Sequence, residues 1–280
     1  MSESCTHDCS TCSAACGERT AIFQEPGNAA SHVKRIIGVV SGKGGVGKSL
    51  VTALLAVNAR RQNLKVGVLD ADITGPSVPK AFGLTEKATG NDLGIFPVFT
   101  RTGIRTMSLN LLIDDESDPV VWRGPVIAGT VKQFWTDVVW GDLDILFIDM
   151  PPGTGDVPLT VFQSLPLDGV VVVTTPQDLV QMVVEKAVRM AGMMNIPVLA
   201  LVENMAFVEC PDCGKRFSPF GESRLQAEAA KNGVAAAAQI PLSPKLTGAV
   251  DKGMIELYEG DWLDGVSQML HALPERQAEE

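Results

Sequence analysis

The chain has 280 residues, 45% of them hydrophobic, enough for one large α/β domain with a substantial core. It carries 23 Lys and Arg against 33 Asp and Glu, for a net charge of −10. Because nucleic acids and anionic membranes both attract clustered cations, this balance argues against either partner. The amino terminus is polar and no apolar run is long enough to span a bilayer, which predicts a cytoplasmic protein.

Three regions follow one another along the chain. Residues 1–32 are rich in Ser, Thr, Ala, Gly and Cys, and predict a tail whose order depends on a bound metal. Residues 33–272 alternate buried-strand runs with helical segments, which predicts one domain of α/β class with a doubly wound, mostly parallel sheet. Residues 273–280 form an acidic C-terminal tail. The predicted strands lie at 35–41, 65–70, 143–149, 167–175, 196–202 and 234–240, with helices at 49–62 and 179–194.

The tail contains four of the six cysteines, Cys5, Cys9, Cys12 and Cys16. Their spacing would place them on one face of a helix but spread them over about 16 Å, too far for one cubane. The segment must therefore wrap around its metal or hold none. A second cluster site is the favoured hypothesis; zinc, with His7 as a further ligand, and free or redox-active thiols are the alternatives.

The first predicted strand runs through a glycine-rich loop, "SGKGGVGKS" at 41–49, into a helix. Such a loop points backbone N–H groups at phosphates, and the helix N-terminus adds partial positive charge. Lys48 can reach the β- and γ-phosphates, and the Ser49 hydroxyl can bind Mg²⁺. The fold is thus of the P-loop NTPase type, and the predicted nucleotide-binding residues are Gly42, Lys43, Gly44, Gly45, Val46, Gly47, Lys48 and Ser49.

Carboxylates follow two later strands. "VLDADITGPS" places Asp70 and Asp72 after the second strand, and "LFIDMPPGTGD" places Asp149 after another. Because ligands of an open α/β sheet bind at the carboxyl ends of its strands, we expect all three near the loop. For Asp70, a carboxylate satisfied by loop N–H groups is the alternative to a Mg²⁺-linked role.

Because Lys43 directly follows the first glycine, the loop resembles the deviant Walker A motif of the ATPases that include MinD, ParA, the arsenite-pump ATPase and the nitrogenase iron protein. The resemblance implies ATP, a sandwich homodimer, and a Lys43 that neutralises charge on the partner's transferring phosphoryl, as an arginine finger does. It further implies that Asp149 holds Mg²⁺ and that Asp72 orients the attacking water. The predicted catalytic residues are Lys43, Lys48 and Asp72.

Two turns resemble the adenine-contacting positions of the same group. "VENMAF" places Asn204 after a strand, and "IPLSP" places Pro241 in the next such turn. An Asn amide pairs with the N6/N1 edge of adenine and is a poor partner for guanine. Asn204 as a residue that caps its own turn is the alternative.

The remaining cysteines, Cys210 and Cys213, stand in "CPDCG" and supply two ligands where zinc or an iron–sulfur cubane takes four. Together with "GKGGVGKS", "DADITGPS", "VWRGP" and "DMPPGTGD", this segment resembles the Mrp/ApbC family of P-loop ATPases over residues 33–272. The resemblance implies a carrier or scaffold that shares one [4Fe–4S] cluster between the Cys210/Cys213 loops of two protomers and transfers it to apoproteins, with slow ATP hydrolysis coupled to cluster handling.

A two-fold axis sets identical loops opposite each other, so two chains together supply four thiolates. Two alternatives stay open at this site: zinc held in the same way, since spacing does not separate the two metals, and tail cysteines that complete the site within one chain.

Two other functions are weighed against the carrier. A MinD- or ParA-like positioning ATPase with a structural zinc site needs a basic DNA-binding surface or a C-terminal amphipathic membrane helix, and the net charge and the acidic end count against both. A nucleotide-gated electron donor like the nitrogenase iron protein has a cysteine close after the Walker B segment, where "DMPPGTGDVPLTVFQ" has none, so that specific resemblance fails. A redox role for a cluster held by Cys210 and Cys213 stays open.

Overall fold

The computed structural model describes residues 24–73, 75, 77–113, 124–153, 156–176 and 180–276. The four N-terminal cysteines, residues 121–123 of "VWRGP", residues 154–155 of "DMPPGTGD" and the last four residues of the acidic tail lie outside the described part. No helix within these ranges is both long and apolar enough to cross a membrane.

Strands and helices alternate along most of the described chain. The strands are β1 His32–Val33, β2 Ile36–Ser41, β3 Val66–Asp70, β4 Thr89–Asn91, β5 Gly94–Phe96, β6 Val98–Phe99, β7 Arg105–Met107, β8 Asp142–Leu143, β9 Ile145–Asp149, β10 Gly169–Thr174, β11 Val198–Glu203, β12 Val208–Glu209, β13 Arg216–Phe217 and β14 Ala236–Gln239. The helices are α1 Lys48–Arg61, α2 Val78–Phe82, α3 Gly124–Thr136, α4 Asp156–Ser164, α5 Val180–Met193, α6 Leu225–Lys231, α7 Pro244–Asp251 and α8 Asp264–His271, with 3₁₀ turns at Leu109–Leu111 and Ile255–Leu257.

The central sheet has eight strands in the order β14-β11-β10-β2-β9-β3-β7-β6. Every neighbouring pair is parallel except β6 with β7, which is antiparallel. The sheet is therefore doubly wound and mostly parallel, as predicted. All six predicted strands and both predicted helices form, with ends displaced by at most two residues.

The two faces of the sheet bury separate cores. Successive residues of β10 alternate between them, with Val170 and Val172 packing on the α3–α6 side and Val171 and Val173 on the α1, α2, α7 and α8 side. Strands β2, β3, β9 and β10 are buried along their whole length. The prediction of burial on both faces is wrong for β14, which is only partly buried because it is an edge strand.

The segment from residue 24 to 33, which the sequence assigned largely to the tail, packs against the domain. The Glu25 N–H donates to the Ser164 carbonyl at 2.9 Å, and Trp135 Nε1 donates to the Glu25 carbonyl at 2.8 Å. Strand β1 then pairs in parallel with β8. Ordered packing therefore begins before the predicted boundary at 32/33.

The C-terminal segment is fixed at the same end of the sheet. The Arg276 N–H donates to the Lys34 carbonyl at 3.0 Å, and Arg35 Nε donates to the Leu273 carbonyl at 2.8 Å. Lys34 also lies 3.1 Å from the Glu275 carboxylate. Residues 273–276, predicted as part of an acidic tail, are thus bound to the start of β2.

Candidate functional site

The glycine-rich loop joins β2 to α1 at the carboxyl edge of the sheet. Gly45 and Gly47 have φ values of 78° and 83°, a left-handed conformation that L side chains rarely adopt. A Cβ placed on Gly44 or Gly45 would meet nothing within 4 Å, so the space in front of the loop is open. The loop therefore offers backbone N–H groups and room for an anion beside the first turn of α1.

Lys48 and Asp149 form a buried ion pair behind this loop. Lys48 Nζ lies 2.7 Å from Asp149 Oδ1, with the two side chains 6% and 0% exposed. The Thr52 hydroxyl, itself fully buried, lies 3.0 Å from the same Asp149 oxygen. Asp72 lies further away, with its Oδ2 3.8 Å from Lys48 Nζ. The predicted phosphate-binding lysine thus sits between two of the predicted carboxylates.

The second carboxylate oxygen of Asp149 provides a test for a divalent cation. Asp149 Oδ2 is buried and has no hydrogen-bond partner within the described residues. A buried oxygen that accepts nothing is costly unless a further ligand satisfies it. Mg²⁺ or a water bound to it prefers such carboxylate oxygens, so the residues present fit this cofactor. Ser49 is half-buried on the first turn of α1.

Asp70 is already satisfied by the protein. Its Oδ1 accepts from the Asp72 N–H at 3.2 Å, and its Oδ2 accepts from the Val78 N–H at 3.3 Å and the Ser108 hydroxyl at 3.2 Å. Complete burial, followed by the charge of Asp149, raises the pKa of Asp70 well above its usual range. This geometry does not favour Asp70 as a Mg²⁺ ligand. It favours the alternative, in which Asp70 fixes the loop that carries Asp72.

Asn204 contacts the phosphate loop through its side chain. It follows β11 and is 2% exposed, and its Nδ2 donates to the Val46 carbonyl at 2.9 Å. Its Oδ1 accepts from the Met205 N–H at 2.9 Å. The bond to Met205 fits the alternative, in which Asn204 caps its own turn; because the amide keeps a second N–H and a second lone pair, the adenine contact stays a prediction. Pro241 is buried in the neighbouring turn after β14.

Cys210 and Cys213 lie in a small hairpin formed by β12 and β13. The Cys210 N–H donates to the Lys215 carbonyl at 3.0 Å, and the Gly214 N–H donates back to the Cys210 carbonyl at 2.9 Å. Cys210 is half-buried and Cys213 is exposed. Hydrogen bonds from the backbone N–H groups of Asp212 and Cys213, and then from the Cys213 thiol, lower the pKa of Cys210. The hairpin thus favours a thiolate, the form that binds metals.

The hairpin alone does not complete a metal site. Within the described ranges, no group of three or more His, Cys, Asp or Glu side chains is arranged to hold a metal ion. Zinc or an iron–sulfur cubane takes four protein ligands, so the predicted site at Cys210 and Cys213 stays a prediction that needs two ligands from beyond the hairpin.

Two site residues were missed by the sequence analysis. Thr52 lies four positions after Lys48, so the helical period sets both on one face of α1, where the hydroxyl reaches Asp149. This spacing could have been used. Ser108 follows β7, and its hydroxyl reaches Asp70. It could not have been found, because a three-residue strand gives no periodic signal.

Comparison with known proteins identifies the family of the chain. The chain matches the family described as ParA, NUBPL iron-transfer P-loop NTPase, over residues 32–272. It is 44% identical over 258 residues to an iron-sulfur cluster carrier protein of Clostridium perfringens, covering 89% of this chain and 90% of that one. It is 41% identical to an iron-sulfur protein required for NADH dehydrogenase, mitochondrial, of Arabidopsis thaliana, covering 86% of this chain and 76% of that one.

Among solved structures, a nucleotide-binding protein from Archaeoglobus fulgidus in complex with ADP superimposes with a TM-score of 0.76 at 47% identity. The match covers 83% of this chain and 91% of that one. The cell division ATPase MinD of Pyrococcus furiosus, at 18% identity and a TM-score of 0.59, covers 85% of this chain and 96% of that one, and shares the fold. From its phosphate loop, its sheet order and these matches, the chain belongs to the NUBPL iron-transfer P-loop NTPases of the ParA group.

Proposed function

We propose that this protein is an ATP-hydrolysing carrier of iron–sulfur clusters. The observation that carries the proposal is a pair of free thiols close in sequence to the phosphate loop's contact. Cys210 and Cys213 supply two of the four ligands of a metal site, and Cys210 follows Asn204, which contacts the phosphate loop, by six residues. Relatives that share 41–48% identity with the chain are named iron-sulfur cluster carrier proteins, which supports the same cargo. The net charge of −10 counts against a positioning ATPase that binds DNA.

In the proposed reaction the loop at 41–49 binds the phosphates of ATP through its N–H groups, and Lys48 turns from Asp149 to the β- and γ-phosphates. Asp72 orients the attacking water, and Lys43 of one protomer neutralises the developing charge at the partner's nucleotide. Asp149 and the Ser49 hydroxyl are the proposed Mg²⁺ ligands. When bound, Mg²⁺ supplies positive charge to the phosphates. The adenine lies near the buried turn that contains Pro241.

The cluster is the cargo, and its four ligands are Cys210 and Cys213 from each chain of a homodimer. A two-fold axis sets the two hairpins opposite each other, which supplies four thiolates to one [4Fe–4S] cluster. Exposure of Cys213 leaves the site open to an acceptor apoprotein. ATP hydrolysis is slow and coupled to cluster loading or release, in the cytoplasm. The cysteines at 5, 9, 12 and 16 hold a second cluster.

The test is iron, acid-labile sulfide and zinc per chain after anaerobic reconstitution, together with the mass in solution. Three full-length proteins separate the sites: the parent, a variant with Ser at positions 5, 9, 12 and 16, and the Cys210→Ser, Cys213→Ser double variant. Transfer is followed as recovered activity of an apo iron–sulfur enzyme mixed with the loaded protein.

The variant with a serine-substituted tail should hold about two iron and two sulfide per chain as a dimer, which is one cubane per two chains. It should also activate the apo enzyme. Loss of Cys210 and Cys213 should remove that cluster and the transfer. Zinc in place of iron, or a loaded monomer, would refute the shared cluster. A cluster that disappears with the tail cysteines would instead place the missing ligands within one chain.

A further inference from the structure

The phosphate loop and the cysteine hairpin are connected by one short segment. Residues 204–207, here named the connector, run from the end of β11 to the start of β12. One end of the connector touches the phosphate loop and the other end touches the hairpin. Resting on the proposed function, we infer that Asn204 is a positioning residue that transmits the nucleotide state of the loop to Cys210 and Cys213.

At the loop end, the contact leaves little room for independent movement. Asn204 Nδ2 donates to the Val46 carbonyl at 2.9 Å in a buried position, and its backbone N–H donates to the Thr174 carbonyl at 2.8 Å. A Cβ on Gly47 would lie 2.2 Å from the same amide nitrogen, so the amide fills the space beside the loop. Val46 lies between Gly45 and Gly47, whose backbone N–H groups are the proposed phosphate ligands. A shift of this backbone must therefore move Asn204 or break its bond.

The connector itself is held stiffly. The Met205 N–H is capped by Asn204 Oδ1, and Met205 has a φ of 58°, a left-handed conformation rare for this residue type. The Ala206 N–H donates to the Ile240 carbonyl at 2.9 Å, and the Leu242 N–H donates to the Phe207 carbonyl at 2.8 Å. Movement at Asn204 thus passes along a hydrogen-bonded segment and is not absorbed by a free loop.

At the hairpin end, the contact is made by Arg216. Its guanidinium carbon lies 4.6 Å from the centre of the Phe207 ring, and its Nε lies 3.3 Å from Glu209 Oε2. Arg216 pairs with Glu209 across the β12–β13 ladder, next to Cys210. The stacked guanidinium therefore joins the connector to the strand opposite the first cysteine.

The test is hydrogen exchange of the reduced, metal-free protein with and without Mg²⁺ and ADP, read in peptides that cover the hairpin. Because no cluster is present, its outcome is independent of whether the protein carries one. Asn204→Ala removes the contact at the loop end, and Arg216→Gln removes the exposed contact at the hairpin end without touching the loop. Arg224→Gln, an exposed arginine just beyond the hairpin, is the matched control. Protection of the 41–52 peptide shows that ADP is bound in each variant.

In the parent and in Arg224→Gln, ADP should change hairpin exchange by about threefold or more, as expected when a local opening equilibrium is shifted. In Asn204→Ala and Arg216→Gln the change should fall to less than about 1.5-fold while the 41–52 peptide stays protected. A merely structural role would raise hairpin exchange equally with and without ADP. A hairpin that responds to ADP in either variant as it does in the parent, or that ignores ADP in the parent, would overturn the inference.

Discussion

Replacing Lys48 by Met should destabilise the protein even when no nucleotide is present. The lysine is 6% exposed and its partner Asp149 is 0% exposed, so the substitution leaves a carboxylate buried beside an apolar side chain. Removing one partner of a buried ion pair costs about 3–5 kcal/mol. At about 2–4 °C per kcal/mol for a domain of this size, the melting temperature should fall by about 6–20 °C.

A double-mutant cycle in buffer without metal or nucleotide isolates the pair. Asp149→Asn removes the charge and keeps an oxygen that the Thr52 hydroxyl can reach. The Lys48→Met, Asp149→Asn protein should therefore regain about 2 kcal/mol relative to Lys48→Met alone. Lys80→Met is the matched control, because the ion pair of Lys80 with Asp251 has side chains 71% and 64% exposed. An exposed pair contributes about 0–1 kcal/mol.

The expected cost of an unpaired buried charge is refuted if the melting temperatures of Lys48→Met and Lys80→Met differ by less than about 1 °C. It is also refuted if the two substitutions at 48 and 149 add without coupling. Either result would mean that the carboxylate of Asp149 is stabilised by something other than the lysine, and Lys48 would then be free to serve phosphates at no cost.

Two further results follow from the same geometry. Gly47→Ala should cost more than about 1–2 kcal/mol and weaken ADP binding, because its left-handed backbone alone costs that much and its Cβ would also lie 2.2 Å from Asn204 Nδ2. Gly44→Ala, whose Cβ meets nothing within 4 Å, should leave the melting temperature unchanged; equal melting temperatures of the two variants would contradict this. The alkylation rate of Cys210 should rise with pH, and the midpoint of that rise should lie below the pKa of an ordinary thiol, which is about 8.5. The reason is that the backbone N–H groups of Asp212 and Cys213 and the Cys213 thiol donate to the Cys210 thiolate and lower its pKa. Cys213→Ala should raise that midpoint, since one donor is lost; an unmoved midpoint would exclude the thiol contact.

The fold and the phosphate loop could be predicted because their signals are local. Runs such as "LFI" and "VVVV" are buried on both faces of the sheet, which leaves the near-continuous apolar pattern typical of parallel strands. The glycines of the loop mark positive φ values, and Gly45 and Gly47 show them. Short pieces such as β6 and β7 gave no usable pattern, because two or three residues cannot display a period.

The partners of each site residue could not be predicted, because they are set by tertiary contacts between distant segments. Asp70 and Asp149 both follow strands, yet Asp70 has its oxygens occupied by Asp72, Val78 and Ser108, while one oxygen of Asp149 has no partner among the described residues. Nor does an Asn after a strand reveal that its amide points at a backbone carbonyl 158 positions away. Such differences decide which carboxylate suits a metal.

The buried ion pair has a consequence for how nucleotide and cation binding are related. In the proposed reaction, Lys48 leaves its position 2.7 Å from Asp149 for the phosphates of the nucleotide. That movement would leave the fully buried Asp149 without its cationic partner unless another cation replaces the lysine. Asp149 Oδ2, which has no hydrogen-bond partner in the part of the chain that the structure describes, is the place where such a cation fits. Binding of the nucleotide and of Mg²⁺ should therefore be mutually strengthening, and by thermodynamic reciprocity each raises the affinity of the other by the same factor.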